Sequence, residues 1–189
     1  MMNADWPTYQ NAPDLVAKAN QVFTGEVTNI SFQMLDMKTA QPVTEKTEEW
    51  NRSLYTIYTV EVDTLYKGSV KKNAQIRMSG GIQGRYVNEQ LAVLGKDAEK
   101  GIPVMSERPE VVIGRTYLFV LYQYENTIPT PLNLDQGIFD LRNPFEEHPH
   151  MTAKDVISSF GQDKWDTFWT QWQKNNPNWE TWLDKAAVE

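Results

Sequence analysis

The chain contains no cysteine. Disulfides, thiolate metal sites and thiol nucleophiles are excluded together. The compartment stays open, because exported proteins and cytoplasmic ones can both do without cysteine. Histidine is almost as scarce, with two in 189 residues. No apolar run reaches the ~18 residues that a membrane-spanning helix requires. The opening Met1-Met2-Asn3-Ala4-Asp5-Trp6-Pro7 has neither a basic start nor an apolar stretch. The expectation is a cytoplasmic protein, or one whose export signal is missing from this sequence. Positive charge is in deficit: 18 Lys and Arg against 25 Asp and Glu leave a net charge of -7. That balance favours solubility and disfavours attraction to phosphate backbones.

What is present is a foldable composition. Hydrophobic residues make up 40% and aromatics 12%, which argues against disorder. The length suits one domain with an appendage, and a domain of ~150 residues hides roughly 70% of its unfolded surface.

The clearest local signal is Leu54 to Gly68. Leu54, Tyr58, Val60, Val62 and Tyr66 share one face at period two, and Tyr55, Thr59, Glu61 and Asp63 share the other. With its closing Lys67-Gly68, this reads as a long half-buried strand ending in a turn. A strand from Gln21 to Phe32 precedes it. Its alternation changes phase near Thr28-Asn29, which predicts a bulge, and Gly25 fits a sharp coil there. Asp36 to Arg52 reads as a long mobile polar loop with Trp50 at its end. A third strand follows at Ala74–Met78, with Ala74, Ile76 and Met78 inward, broken by Ser79-Gly80-Gly81. Between residues 82 and 110, Leu91–Leu94 and Ile102–Met105 are apolar runs expected to pair as a hairpin. Thr116–Tyr124 is apolar on both faces and reads as a central strand. Pro129 and Pro131 mark a loop, and Gly137–Leu141 reads as the last strand.

Helical signals frame this β region. Asp14 is the expected cap of a short turn through Leu15, Val16 and Ala19. Thr152-Ala153-Lys154-Asp155 has capping-box spacing before Val156, Ile157 and Phe160. Asp163 is the expected cap of a helix with Trp165, Phe168, Trp169 and Trp172 at i, i+3, i+4 and i+7, stopped at Asn175-Asn176-Pro177. Asn178 is the expected cap of a last short helix with Trp179, Trp182 and Leu183.

Ala19–Thr28, Tyr58–Gly68, a strand ending in Gly80-Gly81, and Val112–Leu121 follow one another in an order that resembles the netrin-like domains, the group that includes tissue inhibitors of metalloproteinases. The pattern is still more similar to uncharacterised bacterial extracytoplasmic proteins. It covers about residues 14–141. The resemblance implies a mainly β fold, an OB-type five-stranded barrel, with helices appended at the C-terminus. The organisation expected is an extended lead-in over 1–13, the barrel over 14–143, and a Trp-rich helical segment over 144–189 packed on the barrel. It also implies export and a non-catalytic binding role. The inhibitory cysteine of the metalloproteinase inhibitors has no counterpart here, so protease inhibition does not carry over.

Candidate sites are few. Glu146-Glu147-His148-Pro149-His150 clusters metal-type ligands, but Pro149 forces an extended backbone and no third distant ligand can be named, so a solvated linker is the better reading. Ser79-Gly80-Gly81-Ile82-Gln83-Gly84 lacks a helix pattern after it and reads as a turn rather than a phosphate cradle. Glu61 and Asp63 suit a solvated strand face. The tryptophan stripe at Trp165, Trp169 and Trp172 suits core packing. No Gly-x-Ser-x-Gly is present. The loops at one barrel end, with Trp50, Arg85 and Tyr86, are the expected binding surface.

No cofactor is expected. The partner expected is a protein or a glycan, not a nucleic acid, and any membrane association would come from an N-terminal signal or lipid anchor upstream of Met1. The competing readings are a single-strand nucleic-acid-binding OB protein and a hydrolase using a metal at His148 and His150 or a pair of carboxylates.

Overall fold

The computed structural model describes residues 7–105 and 108–180. Its centre is a pair of antiparallel strands, β1 (Gln21–Asp36) and β2 (Arg52–Lys67), each 16 residues long. Their register runs from Val22 opposite Lys67 to Asp36 opposite Arg52. It shifts between Val22 and Phe23, between Thr24 and Gly25, and between Val27 and Asn29. The last shift is the bulge expected at Thr28-Asn29. Because it inserts one unpaired position, Phe23 and Val27 before it and Ile30 after it all reach the same core. Gly25 sits where β2 crosses closest: a Cβ there would lie 2.5 Å from the Glu61 carbonyl oxygen. The absence of a side chain lets the pair coil tightly.

The other strands hang on this pair. β3 (Asn73–Ser79) pairs with β2, and β4 (Thr116–Tyr122) pairs with residues 21–26 of β1. The short β5 (Thr130–Pro131) and β6 (Ile138–Asp140) both pair with β4. The order is β3-β2-β1-β4-β5, every ladder antiparallel. Three consecutive strands and a fourth that returns beside the first make a Greek key. β5 corrects the loop expected around Pro129 and Pro131, since a proline is tolerated on an edge strand that needs no N–H from it. Among the described residues no ladder joins the end strands β3 and β5. They meet through Arg77, whose N–H donates to Pro129 O at 2.8 Å and whose Nε donates to Ile128 O at 2.7 Å.

β4 is buried on both sides, as its sequence implies. Tyr117, Phe119 and Leu121 enter the core shared with Phe23, Tyr58, Val60 and Ile76. Leu118 and Val120 enter a second core with Leu15, Val22, Phe139, Val156 and Trp165. This second core is where the helices dock. α1 (Ala12–Lys18) begins one residue before the expected end of the lead-in. Its cap is Asn11, not Asp14: Asn11 Oδ1 accepts from the Asp14 N–H at 2.9 Å, and the Asp14 carboxylate accepts from Asn11 Nδ2 at 2.8 Å. α3 (Ala153–Ser158) carries the expected capping box between Thr152 and Asp155. α4 (Gln162–Asn175) is capped at Gly161 and not at Asp163, which lies inside the first turn, where a carboxylate favours the helix dipole.

The tryptophans of α4 face the domain. Trp165 and Trp172 are buried, and Trp172 Nε1–H donates to Leu141 O at 2.6 Å. Trp169 stacks between them, its ring centre 5.5 Å from that of Trp165 and 5.0 Å from that of Trp172. Trp179 meets Trp169 edge-on at 5.1 Å. Trp182 and Leu183 lie outside the described residues.

The region 82–110 departs most from expectation. Instead of a hairpin it forms α2 (Val87–Leu94) and a 3-10 turn over Gly95–Lys100. The helix buries Gln90 and Leu94 and leaves Val87 and Leu91 exposed. A polar residue marks the inward face, so hydrophobic periodicity points the wrong way. A helix therefore does follow Gly80-Gly81, contrary to expectation.

Gly25→Ala is expected to destabilise the protein by about 1–3 kcal/mol through overpacking, measured as a lower urea midpoint. A second outcome concerns Tyr66, which stacks on Phe160 with ring centres 5.5 Å apart. Burial pushes its phenol up to about 12, opposed by a hydrogen bond with the Thr24 side chain. The unfolded phenol titrates near ~10, so this contribution to stability is complete below that pH and is lost as pH rises toward about 12. In Tyr66→Phe, the alkaline fall in the urea midpoint is expected to be shallower.

Candidate functional site

The two long connections that interrupt the sheet meet at one end of it. The β1–β2 connection, expected as a long mobile loop, folds back on itself: Leu35 bridges Pro42, and Glu49–Asn51 forms a 3-10 turn. The β3–β4 connection runs alongside, with Gly81 N–H donating to Pro103 O at 2.7 Å. Lys100 Nζ reaches across to Glu49 Oε1 at 2.5 Å. Met37, Tyr55, Pro103 and Met105 enclose a small cavity of about 140 Å³ where the connections touch.

Gln90 anchors the second connection. Its side-chain oxygen accepts from Ile82 N–H at 2.8 Å, and its Nε2 donates to Ile82 O at 3.0 Å and Arg85 O at 2.6 Å. One fully buried amide thus replaces the missing sheet partner of this strand-like turn, and it ties α2 to the end of β3. Gly81 is required beside it, because a Cβ would lie 2.0 Å from Gln90 Oε1.

Trp50 lies in the middle of the 3-10 turn and is 72% exposed, the largest exposure among the bulky apolar side chains described. Arg85 is half-exposed and pairs with Glu110 at 3.4 Å. Tyr86 enters α2 in the left-handed conformation, φ 55, and its ring tilts against Phe32 at 5.8 Å. Its side chain belongs largely to the core. Arg85 therefore faces a second cavity, of about 200 Å³, on the other side of Val104 and Met105 from the first.

Arg108 is the residue that sequence reasoning missed. Nη1 donates to Gly81 O at 2.6 Å and to Thr56 Oγ1 at 3.2 Å, and Nη2 donates to the Tyr58 hydroxyl. Its partners lie about fifty positions or fewer away along the chain, and a lone arginine before Pro109 carries no local signal. Burial pushes the Tyr58 phenol up, while the charge of Arg108 and its hydrogen bond pull it back.

The outer face of β1–β2–β3 is covered at its Leu35–Tyr55–Ile57 end, while Asn29, Ser31 and Gln75 on the same face are exposed. Leu35, Tyr55 and Ile57 are buried beneath Ile128. The Arg77 guanidinium lies 5.6 Å from the Tyr55 ring centre. Gln41 Nε2 donates to Asn126 O at 2.6 Å, clasping the β1–β2 and β4–β5 connections over this face. Tyr55 was expected on a more open surface. The loop that supplies Ile128 is what closes it.

The remaining candidates are structural. His148 holds Asp135 O through Nδ1 at 2.7 Å and packs on Phe139 at 4.4 Å. Among the described residues no group of three or more His, Asp and Glu is arranged to hold a metal ion. Glu61 pairs with Lys72 at 3.2 Å, and Asp63 is raised by partial burial first and by Glu26 and Glu61 second. A groove of about 1200 Å³ runs between α4 and the sheet past Asp63, Tyr66, Arg115 and Gln171. No family model matches the chain, and no curated protein matches it.

Gln90→Leu is expected to cost about 2–4 kcal/mol by stranding Ile82 N–H and two carbonyls. Hydrogen exchange should locate the loosening in residues 80–94, ahead of global unfolding.

Proposed function

We propose that this chain is a non-catalytic binding module on an OB-type barrel, related to the netrin-like domains and working outside the cytoplasm. The observation that carries the reading is the Arg77–Pro129 hydrogen bond, which joins end strand β3 to the residue just before end strand β5 of a Greek-key sheet. Counting that contact as the seam turns β1-β2-β3-β5-β4 into a partly open five-stranded cylinder, which is the OB architecture. The tight coil at Gly25 and the bulge at Thr28 supply the curvature such a cylinder needs. The binding end in this reading is the meeting of the two long connections, with Trp50 as its anchor, since exposed aromatics on a rigid scaffold are the usual source of binding energy.

A protein or glycan is the favoured partner. The nucleic-acid alternative loses support because single-strand binders need stacking aromatics in an open basic groove, and the aromatic of the outer sheet face, Tyr55, is buried. Tyr55 and Ile57 lie under Ile128, and the net charge is -7. The hydrolase alternative has no metal-type cluster among the described residues to work with.

The test uses a photo-crosslinking residue in place of Trp50, applied to cell-envelope protein and to an array of neutral glycans. A specific partner is expected, recovered chemically unchanged. Trp50→Ala should weaken it about tenfold or more with the melting temperature unaltered. Equal binding by Trp50→Ala, or a partner returned cleaved, would refute this reading. Salt-dependent capture of oligothymidylate would transfer it to the nucleic-acid alternative.

A further inference from the structure

The cavity beside Arg85 gathers two guanidiniums and a buried phenol. Its walls are Ile82, Val104, Met105 and Val111, and its polar groups are Tyr58, Arg85, Arg108 and Glu110. At about 200 Å³ it is smaller than the ~300–1,000 Å³ of drug-sized sites, so any occupant is small. Two guanidiniums face it against one carboxylate among the described residues. That carboxylate, Glu110, sits at the mouth on Arg85, its side chain 66% exposed. Deeper in, Arg108 donates only to neutral oxygens among the described residues: Gly80, Gly81, Thr56 and the phenol of Tyr58.

A partly buried cation is costly unless an anion compensates it, and guanidinium carries five donors in a fork matched to a carboxylate. Tyr58 adds a directional donor. Its oxygen accepts from Arg108, and burial keeps the phenol protonated, so its own hydrogen is available to a ligand oxygen. The charge balance of the described walls calls for a monoanion, and the apolar remainder for a short hydrocarbon body.

We propose that the cavity between Arg85 and Arg108 binds a small monocarboxylate, its carboxylate on Arg108, Tyr58 and Arg85 and its apolar part on Ile82, Met105 and Val111. This assigns a ligand class to the binding module proposed above and rests on that reading. Glu110 then acts as an internal competitor, holding Arg85 until a ligand carboxylate replaces it.

The test is calorimetric titration of the full chain with acetate, butyrate, benzoate and inorganic phosphate. Butyrate or benzoate is expected to bind with a Kd on the order of 1 mM or tighter, and more tightly than acetate. Arg85→Gln, at the exposed mouth, and Tyr58→Phe should each weaken it about tenfold. Glu110→Gln should tighten it several-fold by freeing Arg85. That gain is one a purely structural arginine would not produce. Absence of binding, phosphate binding without carboxylate binding, or affinities unchanged in Arg85→Gln and Glu110→Gln would overturn the proposal. Trp50→Ala should leave carboxylate affinity intact, so failure at this cavity and failure of the proposed binding end are read separately.

Discussion

The antiparallel pairing of β1 with β2 is the constraint on which the rest depends. Both strands run for 16 residues, and each serves a different neighbour on its free edge. β1 gives residues 21–26 to β4, while β2 gives Thr56–Glu61 to β3. A flat ribbon of that length would hold β3 and β4 far apart. The register shifts at Val22, Thr24 and Val27 instead concentrate twist in the N-terminal half of β1. The curled ribbon encloses Phe23, Tyr58 and Phe119 as one core and turns its back to the helices as another.

Curvature also explains where polar groups are spent. A coiled sheet ends abruptly, and the chain beyond β3 leaves with backbone groups that have no strand to pair with. Gln90 answers part of that need from α2, and Arg108 answers another part from the opposite direction. Buried polar side chains at such positions are costly if incompletely bonded and highly specifying if satisfied. Gln90 is a fully satisfied case. Arg108 combines the same structural duty with a positive charge, which makes its surroundings chemically distinctive.

The C-terminal segment does a different job. α3 covers the outer side of β4 and β6 with Val156 and Ile157 and α4 covers it with aromatic rings, and the indole of Trp172 satisfies Leu141 O at the end of the last strand. Three stacked indoles give a small domain a large buried area at low side-chain entropy cost, since each ring has only two rotatable bonds. At the other end of the β1–β2 pair the connections are long and Trp50 stands exposed.

Much of this architecture was legible in the residues alone. Alternation marked β1, β2 and β3, an apolar run on both faces marked β4, the phase change at Thr28-Asn29 marked the bulge, and helical spacing marked the buried tryptophans of α4. Each is a local pattern imposed by burial of a regular element, on one side or, for β4, on both. The sequence also excluded thiol chemistry outright. Tertiary structure alone decided what depends on distant partners. α2 was unreadable because its inward face is a glutamine bonded to Ile82 and Arg85. β5 was hidden in two prolines. Tyr55 was read as more open because Ile128, which covers it, arrives from more than seventy residues away. Arg108 was invisible for the same reason: its role is set by Thr56, Tyr58 and Gly81, which only the coiling of β1 and β2 brings within reach.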